Sequence, residues 1–114
     1  MLDTVVRRWS RLVPPTDCTA DAAVARSREV ALDHVIPCRV LVDRMIIHPK
    51  ECRELLETSV VLAPVTKTEH IRLGGIFTHH ERIYGRMLGA PVENLQRLGR
   101  QRYRAFGIGL SRLP

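Results

Sequence analysis

Two short stretches carry residues that could do chemistry together. Leu32-Asp33-His34-Val35-Ile36-Pro37 sets an acid beside a histidine at the end of an apolar run. Thr66-Lys67-Thr68-Glu69-His70-Ile71 places a second histidine 36 positions after the first. A carboxylate and an imidazole can anchor a divalent cation while leaving coordination positions open. A neutral imidazole can also take a proton from water near pH 7. If the two stretches meet in space, Asp33, His34 and His70 surround one point and form a metal site with a general base. The residues alone leave a plainer alternative open, in which Asp33 caps a turn and His34 is a satisfied strand-end histidine.

The elements that must position these residues follow from patterning. Residues 29–36 read as a strand stopped by Pro37, and Val60 to Val65 as a second strand, with Pro64 placing it at an edge. Cys38 to Ile47 has apolar positions at helical spacing, and Pro49 opens a further short helix to Glu57. Thr66 followed by Glu69 is a capping-box signature, so a helix begins at Lys67 and ends at Gly74-Gly75. The box accounts for Glu69 as a cap better than as a ligand. Thr78 and Glu81 repeat the signature for a helix to about Leu88, and a last helix runs from about Val92 to Phe106, ended by Gly107. Short helices before Pro14-Pro15 and after Thr19 complete the N-terminal part.

Charge is unevenly placed. Residues 1–70 hold 10 Lys+Arg against 10 Asp+Glu, whereas residues 71–114 hold 8 arginines against Glu81 and Glu93. A polyanion is therefore expected to meet the C-terminal third. His79, Arg82 and Arg86 share one helix face, and Arg97, Arg100 and Arg104 form a stripe on the last helix opposite Val92, Leu95, Gly99, Tyr103 and Phe106. These six polar residues are the candidate phosphate contacts, with solvated faces as the alternative. His80 falls with Ile83, Tyr84 and Met87 and is expected in the core.

Asp33-His34-Val35-Ile36-Pro37 resembles the Asp-His-Ile/Val-x-Pro signature of HNH nucleases, and Glu69-His70-Ile71-Arg72-Leu73 resembles the histidine-bearing helix that closes their ββα-metal fold. The resemblance covers roughly residues 29–75. It implies metal-dependent hydrolysis of nucleic acid, with His34 activating water, Asp33 and His70 holding Mg2+, Mn2+ or Zn2+, and DNA ahead of RNA as partner. The family's loop asparagine, which orients the base, has no counterpart, since Asn94 is the one asparagine present. The alternative function is a non-catalytic basic module of phage or mobile-element type that binds nucleic acid or protein through a degenerate site.

At 114 residues the chain suits one domain, with a ββα-metal-like core at about 29–75 and a basic helical part at 76–114. The expected class is α+β: a small two-stranded antiparallel sheet with helices packed around it and a helical C-terminal third. No apolar run reaches the roughly 18 residues of a membrane span, so a cytosolic protein without membrane contact is expected. Cys18, Cys38 and Cys52 have no Cys-x-x-Cys spacing and read as free thiols. A mixed zinc site from His34, Cys38, Cys52 and His70 is a weaker alternative, because its spacing matches no ligand pattern.

Overall fold

The structure, a computed structural model, describes residues 1–75 and 80–113. The expected cap at Thr78 and the candidate contact His79 lie outside the described residues. In chain order the elements are α1 (Leu2–Ser10), β1 (Asp17–Thr19), α2 (Ala20–Val24), β2 (Val30–His34), α3 (Cys38–Ile47), α4 (Cys52–Thr58), β3 (Leu62–Thr66), α5 (Lys67–Leu73), α6 (Glu81–Gly89), α7 (Leu95–Ala105) and β4 (Leu110–Arg112). Short 3-10 turns precede β2, α4 and α7. The class is α+β, as patterning indicated.

β2 and β3 pair antiparallel, with Val30 opposite Thr66 and His34 opposite Leu62. Val35 N donates to Val61 O at 2.8 Å, so the paired backbone groups fall on Ala31, Asp33 and Val35. Pro64, opposite Leu32, turns its nitrogen away from β2 and costs that ladder nothing. On the far side of β3, Thr16 N donates to Leu62 O at 3.1 Å. This brings in a second two-stranded sheet, β1 with β4, which patterning did not anticipate. Both of its strands have only three residues, too short to show a period of two.

α5 follows β3 with no intervening loop, because the capping box forms in full. Glu69 N donates to Thr66 Oγ1 at 3.1 Å and Thr66 N to Glu69 Oε1 at 2.8 Å. Thr19 Oγ1 adds a third bond to Glu69 at 2.6 Å, which ties β1 to this helix start. Glu69 is thus a cap, as its spacing suggested. α7 ends where Gly107 takes φ +69°, with Gly107 N bonded to Arg104 O and Ile108 N to Tyr103 O. This Schellman closure needs the left-handed conformation that glycine adopts without strain, and it buries Ile108 beside Tyr103.

The core has two lobes. One joins α1, α3, α4, α6 and the start of α7 around Val6, Ile36, Leu41, Met45, Leu55 and Leu95. The other joins β3, α5 and the end of α7 around Val35, Ala63, Val65, Leu73 and Tyr103. Val35 and Ile36 are fully buried neighbours that enter different lobes, so the segment following β2 is the seam between them. Arg44 on α3 is also buried and donates to the carbonyls of Met87 (3.2 Å), Leu88 (3.1 Å) and Ala90, with Glu51 as its counter-ion at 2.8 Å. It satisfies the C-terminal carbonyls of α6 with a cation, which suits the helix dipole.

Gly99 allows α7 to lie on that seam. A methyl group there would stand 2.8 Å from Val35 O and 2.9 Å from Val35 Cγ1. Gly85, mid-helix in α6, has nothing within 4 Å of the same position. Gly99→Ala should therefore destabilise by about 1–3 kcal/mol through overpacking, whereas Gly85→Ala should stabilise by about 0.5–1 kcal/mol from helix propensity. Urea unfolding of both variants checks this, and equal effects would refute the close approach.

Candidate functional site

Alternation along β2 turns Asp33 inward and leaves Leu32 and His34 on the other face. Asp33 is 4% exposed. An isolated carboxylate at that depth would be costly, and α7 supplies its partners. Arg102 meets Asp33 with Nη1 to Oδ2 at 3.1 Å and Nη2 to Oδ1 at 3.4 Å, and the Tyr103 hydroxyl donates to Oδ2. Arg102 also donates to the carbonyls of His34 (2.9 Å), Val35 (3.1 Å) and Leu73 (3.3 Å). One guanidinium thereby ties the end of β2, the end of α5 and the middle of α7 together. Burial, and then the Asp33 charge, push the Tyr103 phenol far above its ordinary range, so it stays a donor.

His70 comes to the same carboxylate from α5. Its Nδ1 lies 3.3 Å from Asp33 Oδ1, and half of its side chain faces solvent. His34, half-buried, places Nε2 at 2.7 Å from Ser10 Oγ on α1. Burial lowers its pKa below the ordinary 6.5, while the neighbouring Asp33 charge works the other way. Arg7, Leu32, Asp33, His34, Pro37, Cys38, His70 and Arg102 line one cleft of about 240 Å³. Asp33, His34 and His70 thus line the same cleft, with His70 against Asp33 and His34 against Ser10. Among the described residues, no group of three or more His, Cys, Asp or Glu could hold a metal ion, so Asp33 and His70 form a two-donor set.

The mixed zinc alternative is not assembled. Cys38 borders the cleft but donates to Asp3 Oδ1 at 3.3 Å, and burial together with that carboxylate raises its thiol pKa to about 11. A metal-binding thiolate requires the opposite shift. Cys52, on α4, packs against the same core lobe as Cys38 but does not line the cleft. All three cysteines are free thiols.

The arginine stripe stands on the other side of α7. Arg97, Arg100 and Arg104 line a groove of about 620 Å³ with Glu93, Gln96, Gln101 and the 108–110 segment. Positions 100 and 104 are each two residues from Arg102, about 200° away around the helix, so the groove faces away from the cleft. Arg97 and Arg104 are exposed. Arg100 is not a bare cation, because its Nε and Nη2 bond Asp17 at 2.9 and 3.2 Å. Burial would raise the Asp17 pKa, but the bonds from Arg100 and Thr16 hold it below the usual carboxylate value. Arg82 and Arg86 are exposed on α6, and His80, half-buried at its start, meets Phe106 edge-on with centroids 4.7 Å apart.

Ser10, Arg102 and Tyr103 were not singled out from the sequence. Arg102 had a signal, since it falls among Leu95, Leu98, Gly99 and Phe106 on the apolar face of α7 and so requires a buried acid. Asp33, an acid in an apolar run, is its complement. Ser10 carries no comparable signal. Comparisons with known protein families, with curated proteins and with solved structures give no match for this chain.

Replacing Arg102 by Met should cost about 3–5 kcal/mol, because Asp33 is left as an uncompensated buried charge. Adding Asp33→Asn to that variant should recover part of the loss. A double-mutant cycle by denaturant unfolding measures this, and strictly additive losses would show that the pair is not coupled.

Proposed function

We propose that this chain is a metal-dependent phosphodiesterase of HNH type that acts on nucleic acid, with His34 drawing a proton from the attacking water. The observation that carries the reading is the convergence of Asp33, His34 and His70 on one cleft through β2, β3 and α5. The lowered pKa of His34 keeps its imidazole neutral at pH 7, the form that accepts a proton.

Asp33 Oδ1 and His70 Nδ1 would hold the ion. A carboxylate oxygen and an imidazole nitrogen suit a divalent cation whose other positions go to water and phosphate. Tyr103 and Arg102 fix the carboxylate through Oδ2, with Arg102 also reaching Oδ1 at 3.4 Å, in the way ligating carboxylates are oriented by hydrogen-bonding neighbours. When bound, Mg2+, Mn2+ or Zn2+ supplies positive charge to the phosphate and the leaving oxygen. Arg102 shares the Asp33 charge and so lowers the affinity of this pair for a cation.

A second reading is favoured by a specific observation. Arg97 and Arg104 face away from the cleft, so a polyanion on that groove need not reach His34. On this reading the chain is a non-catalytic nucleic-acid-binding or protein-binding module, and Arg102 fills the charge role at Asp33 that a cation would have. DNA ahead of RNA is the proposed partner in the first reading, and nucleic acid or an acidic protein in the second. A cytosolic setting goes with both, because the three thiols are unpaired. No helix among the described residues is long and apolar enough to cross a membrane.

Labelled single-stranded and double-stranded DNA and RNA, incubated with each metal, separate the readings. Metal-dependent cleavage that falls by about 10²–10⁴ in His34→Ala is the expected result. Salt-sensitive binding with no turnover under any metal would replace it with the second reading. For binding of a short DNA duplex, Arg97→Ala and Arg104→Ala should each reduce the slope of log K against log salt by about one. Unchanged slopes in both variants would remove the groove as the contact surface.

A further inference from the structure

The base of the proposed reaction needs an orienting group, and the structure offers one from an element outside the ββα unit. Ser10 closes α1 and is 9% exposed. Its Oγ lies 2.7 Å from Val6 O, one helical turn back, and 2.7 Å from His34 Nε2. A serine hydroxyl has one proton and two lone pairs, and a backbone carbonyl only accepts. The proton is therefore committed to Val6 O, and the second bond must run from Nε2–H of His34 to Ser10 Oγ.

This chain of two bonds fixes the tautomer of His34. With the ring proton on Nε2, the lone pair rests on Nδ1, which has no hydrogen-bond partner among the described residues. Asp33, on the adjacent position of β2, accepts from Arg102 and Tyr103 and lies against His70, and among the described residues it makes no hydrogen bond to the His34 ring.

We propose that Ser10 is a positioning residue that holds His34 in the Nε2–H tautomer and presents Nδ1 as the atom that takes the proton from water. The proposal rests on the reading of His34 as a base, and it supplies from α1 the orienting function for which the chain has no loop asparagine. In the proton transfer, water gives its proton to Nδ1 as its oxygen bonds to phosphorus, the ester P–O bond to the leaving sugar oxygen breaks, and that oxygen takes a proton from solvent water. The Nε2–H bond to Ser10 Oγ then steadies the imidazolium that forms. Val6 O holds the hydroxyl in the accepting orientation throughout.

Nitrogen-15 NMR of the His34 ring in the full chain tests the assignment without any need for turnover. The wild-type protein should show the Nε2–H pattern. Ser10→Ala should lose that single-tautomer pattern, and Ser10→Thr, which keeps the hydroxyl, should restore it. A wild-type ring in the Nδ1–H form overturns the proposal whatever the variants do, and so does an unchanged tautomer in a folded Ser10→Ala.

The same variants are then assayed on labelled DNA with Mg2+ or Mn2+. Ser10→Ala should lower kcat about 10–100-fold with KM unchanged, the size expected for loss of an orienting partner. A matching loss in KM alone would overturn the positioning role. Absence of cleavage by every variant, with the tautomer response intact, overturns the nuclease reading and upholds the Ser10 bond.

Discussion

The contact between Arg102 and Asp33 is the constraint on which the rest of the molecule is arranged. A carboxylate 4% exposed and a guanidinium 3% exposed are each costly to take out of water. Together, with the Tyr103 hydroxyl and three backbone carbonyls, they leave Arg102 Nε as the only polar atom of the cluster without a partner among the described residues. The cost is met only when β2, α5 and α7 are all in place. A register shift of α7 would strand both charges, so the pair ties the register of α7 to β2 and α5.

Two glycines make that arrangement reachable. Gly99 removes the side chain that would keep α7 off the Val35 backbone, and one turn further on Arg102 arrives at Asp33. Gly107 then stops the helix in a left-handed residue, so that Ile108 folds back on Tyr103 and the chain reaches β1 as β4. The second sheet is a consequence of this closure. It has little ladder of its own, and Arg100 bonding to the buried Asp17 secures it from the opposite side of α7.

The same helix therefore serves two separate surfaces. One side completes a cleft lined by a carboxylate, two imidazoles and two guanidiniums, and the other lines a groove with three arginines. A metal at Asp33 and His70 would have to share its carboxylate with Arg102. Arg7, itself paired with Asp3, also lines the cleft, so its one carboxylate has two guanidiniums near it, and the nuclease reading and the binding-module reading both turn on how Arg102 shares Asp33.

Local signals in the sequence determined a large part of this protein. The Thr66–Glu69 capping box, the stop at Gly107, the α3 span from Cys38 to Ile47, and the strand with Asp33 and His34 all depend on residues within a few positions of one another. The meeting of Asp33, His34 and His70 could also be foreseen, because the order of strand, strand and capped helix constrains where His70 can lie. Tertiary structure alone decided that Asp33 is held by Arg102 and Tyr103, that Ser10 bonds His34, that Arg100 is drawn to Asp17, and that three-residue β1 and β4 pair. Those contacts join residues 24 to 95 positions apart. Their energy comes from burial, and burial is a property of the packed chain that no local window of sequence contains.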